Sequence, residues 1–113
     1  MTQLAGESCT ACKEDSVGVE TAEQKQLLKQ LPGWSLINNQ GVAQIQKSYP
    51  FKDFNQALDF ANAVGDLADG SNHHPAILVE WGRTTITWWT HSIHGLHRND
   101  FVMAAKTDYL HGK

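Results

Sequence analysis

The sequence lacks most of the features that mark specialised classes of protein. Its 113 residues include only 9 lysines and arginines against 12 aspartates and glutamates, a formal net charge of -3, and the basic residues are scattered. A nucleic-acid surface normally shows a basic patch, so that class is disfavoured. No apolar run is long enough to cross a bilayer, and no secretory signal is visible at the N-terminus. We therefore expect a cytoplasmic protein that binds neither nucleic acid nor membrane.

Cysteine is scarce as well, with Cys9 and Cys12 as its two occurrences. They form a Cys-x-x-Cys in residues 1–20, a polar stretch without hydrophobic periodicity that we expect to be a flexible N-terminal arm. A redox Cys-x-x-Cys normally opens a helix in a βαβ unit, and a structural zinc site needs four ligands. Two reduced thiols are the simpler interpretation. A metal site that combines these thiols with histidines stays open as an alternative.

The remaining chain, residues 21–113, has the length and apolar content of a single domain. Hydrophobic periodicity and turn residues predict helices at about 21–31, 53–69 and 97–111, and strands at 34–37, 42–49, 76–81 and 84–90. Gly82-Arg83 is expected to form a type II′ turn between the last two strands. The order α-β-β-α-β-β-α predicts an α+β fold, with an antiparallel four-stranded sheet and helices packed on one face.

The helix predicted at 53–69 carries more apolar surface than one sheet can cover. Asp53 is a good N-cap, and the apolar residues that follow span an arc of about 220°. Packing on a single sheet needs about half of that arc. We expect a second copy of the chain to cover the rest, with Phe60 and Leu67 on this second face. The pattern therefore favours a homo-oligomer.

Histidines and acidic residues lie at the predicted ends of elements. The adjacent His73 and His74 follow the long helix, and Asp69 lies four residues before His73. His91 follows the last strand, and Asp100 is in the first turn of the last helix. A rigid scaffold often presents functional residues at such ends. Each also has a simpler explanation. Loop histidines can be surface residues, as we expect for His94, His97 and His111. An aspartate such as Asp100 is favoured at a helix N-terminus by the helix dipole.

The chemistry of this set favours proton transfer over metal binding. Imidazole has an ordinary pKa of about 6.5, so it can donate and accept protons near neutral pH, and a carboxylate can orient it. Adjacent histidines are a poor chelating pair because their side chains diverge, and no metal-binding motif appears. No serine or cysteine lies in a nucleophile motif. The residues alone indicate an acid–base site without a metal and leave its substrate open.

The spacing of these residues resembles the pterin-4a-carbinolamine dehydratase family, of the bacterial type. The resemblance rests on Asp69-x-x-x-His73-His74-Pro75, on an aromatic at Trp81, and on His91 and Asp100. The upstream segments "PGW" and "FKDFNQA" also look like the family's, so the resemblance covers about residues 20–110. The Cys-x-x-Cys lies outside it.

The resemblance implies dehydration of 4a-hydroxytetrahydropterin to quinonoid dihydropterin without a cofactor or metal. His73, His74 and His91 would bind the pterin and transfer protons, Asp69 and Asp100 would orient them, and Trp34 and Trp81 would help to line the pocket. It also implies a dimer or tetramer and a functional link to an aromatic amino-acid hydroxylase. A non-catalytic interaction module that uses the second apolar face of the long helix stays open as an alternative.

Overall fold

The computed structural model describes Gly6 and residues 21–112. Its elements follow the predicted order: α1 (Thr21–Leu28), β1 (Ser35–Asn39), β2 (Val42–Pro50), α2 (Phe54–Ser71), β3 (Ala76–Glu80), β4 (Arg83–Trp88) and α3 (Arg98–His111), with a short 3-10 turn at His91–Ile93. The α+β class is confirmed. The predicted N-terminal arm, with Cys9 and Cys12, lies outside the described residues apart from Gly6. Within residues 21–112, no helix has both the length and the apolar character that a membrane span requires.

The four strands form one antiparallel sheet in the order β1-β2-β4-β3. The pairs Ile45 with Trp88 and Tyr49 with Thr84 set the register of the two central strands. Side chains alternate between the two faces of a strand, so these residues share one face. They are fully buried there against α2 and α3, which makes this face the core side of the sheet.

The two hairpins use different turns. Gln40 and Gly41 connect β1 to β2, and both have positive φ, 53° and 87°, as a type I′ turn requires. The prediction of a type II′ turn at Gly82-Arg83 was wrong, because Arg83 pairs with Glu80 and leaves Trp81-Gly82 as the connection, without positive φ. Gly82 favours close packing instead, since a Cβ there would make a tight contact, 3.3 Å, with the carbonyl oxygen of Phe51.

Helix α2 begins as predicted and ends two residues later than predicted. The side chain of Asp53 accepts a hydrogen bond from the Gln56 amide at 2.8 Å, which confirms it as the N-cap. Asn72 ends the helix in the left-handed conformation, with φ 52°. Asparagine tolerates that conformation better than most residues. The chain therefore turns sharply at Asn72 and releases His73 and His74 from the helix.

The apolar surface left uncovered on α2 is not the one predicted. Phe60 is buried in the core and Leu67 packs against it, so assigning these residues to a second face was wrong. Both lie on the side of the helix that faces the sheet and α3. The exposed apolar residues of α2 are Phe54 and Leu58, at 45% and 38% exposure. They are one turn apart and share a face of the helix.

A polar cluster around Asp108 fixes α3 against the sheet. Its carboxylate accepts hydrogen bonds from Tyr49 Oη at 2.5 Å, from Lys47 Nζ at 2.8 Å and from Trp34 Nε1 at 3.1 Å. Burial, and next the hydrogen bond to Asp108, raises the pKa of Tyr49, so this phenol stays a proton donor. The cluster joins α3 to β2 and to the segment that follows α1.

Replacing Asp108 by asparagine should therefore destabilise the protein. Asparagine keeps the size of the side chain but removes the charge that pairs with Lys47 and weakens the bond from Tyr49. We expect the free energy of unfolding to fall by about 1.5–2 kcal/mol, the lower part of the range for hydrogen bonds to charged groups, because Asp108 is only partly buried. Urea denaturation followed by circular dichroism measures it.

Asp59→Asn is the matched control, because Asp59 is exposed and no hydrogen bond or ion pair of its side chain occurs in the described part of the chain. Equal stability of the Asp108 variant and this control would show that the cluster does not stabilise the fold.

Candidate active site

The predicted histidines leave the sheet at one end. Ala76, which opens β3, pairs with Thr87 near the end of β4. In an antiparallel pair, the segment that enters one strand lies beside the segment that leaves the other. Residues 73–75 and 89–91 therefore emerge side by side. The register of one strand pair thus brings together segments that are distant in sequence.

His73 forms a buried pair with Asp100. Its Nε2 lies 2.7 Å from Asp100 Oδ1, and Asp100 is fully buried. The other carboxylate oxygen, Oδ2, accepts hydrogen bonds from Thr90 Oγ1 at 2.8 Å and from the His97 amide at 2.9 Å. With Oδ2 occupied by these two donors, Oδ1 is the oxygen that faces His73 and can accept the proton of Nε2.

This pairing leaves one ring nitrogen of His73 for chemistry. With the proton on Nε2, the lone pair is on Nδ1, and Nδ1 has no hydrogen-bond partner in the described part of the chain. The ring lies parallel to that of Trp88, with centroids 5.6 Å apart and an interplanar angle of 4°. Trp88 and Asp100 together fix the ring. A fixed imidazole with one free basic nitrogen has the geometry of a general base.

His74 occupies a different environment from its neighbour. Its Nε2 lies 2.9 Å from Asp69 Oδ1, and both side chains are exposed, at 55% and 81%. Such surface pairs stabilise a protein little. His74 and Asp69 border an open groove of about 530 Å³ between α2 and β3, which Asp66 and Pro75 also line. The adjacent rings therefore have different partners, one buried and one accessible to solvent.

His91 opens the 3-10 turn and packs its exposed ring on Trp89, with centroids 4.3 Å apart. The turn is closed by the Thr90 amide, which donates to Gly95 O at 2.7 Å. Within residues 21–112, no hydrogen bond, ion pair or ring contact links His73, His74 and His91 to one another. They are brought to one end of the sheet as separate groups.

The structure does not bring the two predicted pocket tryptophans to the histidines. Trp34 is buried, and its indole donates to Asp108 on α3. Trp81 lies in the turn between β3 and β4 and is 73% exposed. That turn is at the far end of β3 from His74, a strand length of about 16 Å at 3.3 Å per residue. Among the tryptophans, Trp88 and Trp89 are the ones that contact site histidines.

Sequence reasoning missed three residues of the site. His97, expected on the surface, is the N-cap of α3 and forms a capping box with Asp100. The pattern His97-x-x-Asp100 before a helix was the available signal. Trp88 lies on the core face in register with Ile45, which strand alternation could have indicated. Thr90 gives no signal that separates it from the threonines of the preceding strand, β4.

The donors for a metal site do not assemble in the described residues. Between residues 21 and 112, no group of three or more histidine, cysteine, aspartate or glutamate side chains is placed to hold an ion. Cys9 and Cys12, the other predicted donors, lie outside that range.

Comparison with known proteins identifies relatives over almost the whole chain. Residues 18–110 match the family described as pterin 4 alpha carbinolamine dehydratase. A Vibrio cholerae protein provisionally named pterin-4-alpha-carbinolamine dehydratase is 54% identical over 102 residues, which cover 90% of this chain and 94% of the relative. A Marinobacter nauticus protein with the same provisional name is 52% identical over 111 residues, 98% of this chain and 100% of the relative.

Solved structures show the same fold. The crystal structure of a transcriptional coactivator/pterin dehydratase from Brucella melitensis superposes with a TM-score of 0.75 at 30% identity, covering 83% of this chain and 98% of that one. A pterin dehydratase-like protein, identified as a RuBisCO assembly factor in the alpha-carboxysome, superposes with a TM-score of 0.59 at 22% identity, over 72% and 92% of the two chains. The sequence match over residues 18–110 and the two close relatives place this chain in the pterin 4 alpha carbinolamine dehydratase family of hydro-lyases.

Proposed function

We propose that this protein dehydrates 4a-hydroxytetrahydropterin to quinonoid dihydropterin by general acid–base catalysis. The observation that carries the proposal is the buried pair of His73 and Asp100, which leaves Nδ1 of His73 as a free base. Family membership supplies the substrate class.

The reaction needs two proton transfers and no change of oxidation state. The bond from C4a to the hydroxyl oxygen breaks, and the hydroxyl leaves as water after it receives a proton. N5 loses its proton, and a double bond forms between N5 and C4a. One acid and one base therefore suffice, and no redox cofactor, metal or covalent intermediate is required.

The environments of the histidines favour a division of these roles. His73 is the base in this proposal, because Asp100 accepts the Nε2 proton and leaves the lone pair of Nδ1 to take a proton. The exposed His74 and His91 exchange protons with solvent readily, so they suit proton donation to the leaving hydroxyl and binding of the pterin. Asp69 pairs with Nε2 of His74 at the surface, where it would orient that ring.

The proposal extends to the partners of the protein. We expect its substrate to come from an aromatic amino-acid hydroxylase in the cytoplasm, and we expect the chain to form a homo-oligomer, either a dimer or a tetramer. Phe54 and Leu58 on α2 and Ile77 on β3 expose apolar surface that a second copy would cover. The competing proposal is a non-catalytic interaction module that uses the same surface, and its basis is that the Brucella melitensis neighbour is described as a transcriptional coactivator as well as a pterin dehydratase.

Replacing His73 by glutamine should remove activity and preserve the fold. The glutamine amide can still donate to the buried carboxylate of Asp100, but it cannot accept a proton at neutral pH. We expect the rate of 4a-hydroxytetrahydropterin dehydration to fall by about 10²–10⁴-fold, the usual contribution of a positioned base. Ultraviolet absorbance against the spontaneous reaction measures it, and His74→Gln and His91→Gln are tested in parallel.

His94→Asn is the matched control, because His94 has positive φ, 50°, which asparagine tolerates, and its side chain is exposed. This control should stay near wild type. A wild-type protein that did not accelerate dehydration would reject the catalytic proposal in favour of the interaction module.

Activity should persist after treatment with a chelator, because proton transfer by imidazole accounts for the whole elimination. The measurement is the dehydration rate of the full chain before and after EDTA and gel filtration, so that Cys9 and Cys12 are included. Loss of activity that added zinc restores would support the metal-binding alternative instead.

Replacing Leu58 by glutamate should weaken self-association, since a charge would be placed in the apolar surface that we expect to be covered. Light scattering should show an oligomer for wild type at micromolar concentration and a smaller species for the variant. Asp59→Arg, which changes charge on the polar side of the same helix, is the control. A wild-type monomer would contradict the expectation.

A further inference from the structure

Thr90 lies between the two parts of the histidine site. It lies two residues beyond Trp88, the last residue of β4, and is 1% exposed. Its amide donates to Gly95 O at 2.7 Å, and its carbonyl accepts from the Ile93 amide at 3.3 Å and from the Gly95 amide at 3.4 Å. These bonds close the turn that carries His91. The backbone of Thr90 therefore sets where that turn leaves the sheet.

The side chain of Thr90 acts on the other part of the site. Its hydroxyl donates to Asp100 Oδ2 at 2.8 Å, while Asp100 Oδ1 faces His73. The His97 amide is the second donor to Oδ2, and it belongs to the capping box of α3. Two donors on one oxygen fix the rotation of the carboxylate, which aims the other oxygen at the His73 ring.

We infer that Thr90 is a positioning residue for the proton-transfer site: its hydroxyl orients Asp100 and thereby holds the His73 ring, while its backbone holds the turn of His91. The inference rests on the proposed function for its effect on turnover, although the orientation of His73 can be measured without any substrate. Thr90 does not touch the reacting atoms in this proposal. It acts through Asp100.

A threonine suits this task for two physical reasons. The hydroxyl supplies the donor, and a β-branched side chain has few χ1 rotamers, so the donor stays aimed at the carboxylate. Valine has nearly the same shape but no hydroxyl, and serine keeps the hydroxyl without the methyl group. The pair Thr90→Val and Thr90→Ser therefore separates hydrogen bonding from packing.

Nitrogen-15 NMR of the histidine rings tests the positioning directly. In wild type, we expect the His73 ring to carry its proton on Nε2 and to exchange that proton slowly with solvent. In Thr90→Val, Asp100 keeps one donor on Oδ2 and rotates more freely. The Nε2 proton should then exchange about 10-fold faster, the scale of one hydrogen bond to a charged group. Thr90→Ser should stay within about threefold of wild type.

Steady-state kinetics tests the consequence for turnover. In Thr90→Val, kcat for dehydration should fall by about 10-fold with little change in KM, because the base is misaligned while the pterin contacts remain. Thr90→Ser should recover most of kcat. Thr84→Val is the matched control, since Thr84 is a buried threonine of β4, the strand that precedes Thr90, and its hydroxyl donates to Ala57 O at 2.6 Å, within the core. It should leave kcat unchanged.

The outcomes separate this inference from the proposed function. If Thr90→Val kept the proton exchange of wild-type His73, or if Thr84→Val lost as much kcat as Thr90→Val, Thr90 would have no positioning role. If Thr90→Val did not fold, the Thr90→Ser variant would test the positioning role. We expect this variant to keep proton exchange and kcat near wild type. Loss of both would overturn the role of the hydroxyl. If wild type had no dehydratase activity, the proposed function would fall, and the exchange rates alone would decide the role of Thr90.

Discussion

The buried carboxylate of Asp100 constrains the whole site end of this protein. A charged group in the interior is costly unless it is paired and hydrogen-bonded. Asp100 has no exposure, and its three donors come from the exit of α2, the segment that follows β4 and the residue before α3. Those three segments must therefore meet for the carboxylate to be satisfied. The interaction that orients His73 is thus also the one that joins three elements at one end of the sheet.

The same constraint gives two neighbouring histidines different properties. Asn72 turns the chain in the left-handed conformation, after which His73 packs between Asp100 and Trp88 while His74 faces solvent beside Asp69. Side chains at successive extended positions point in opposite directions. An elimination of water requires a base and a proton donor. In the proposal, the buried His73 is the base, and the exposed His74 is a donor that exchanges protons with water. In the proposed mechanism, the divergence of the rings is what divides their roles.

Local signals in the sequence were informative where a local interaction decides the structure. Asp53 as N-cap and the order of the elements followed from capping and periodicity, which involve neighbours along the chain. The Gly82-Arg83 turn was wrong because pairing between Glu80 and Arg83 shifted the connection by one residue. Phe60 was assigned to the wrong face because a wide apolar arc does not tell which part of it meets the sheet.

The sequence by itself determined the class of fold, the order of the elements and the identity of the histidine and aspartate motif, since each is encoded in spacing along the chain. Only the tertiary structure decided which residues meet: Trp34 with Asp108 rather than with the histidines, Thr90 and His97 with Asp100, and Trp88 with His73. These contacts depend on strand register and on how α3 packs against the sheet. A hydrogen bond between residues far apart in sequence leaves no periodic trace, because its geometry exists only once the chain has folded.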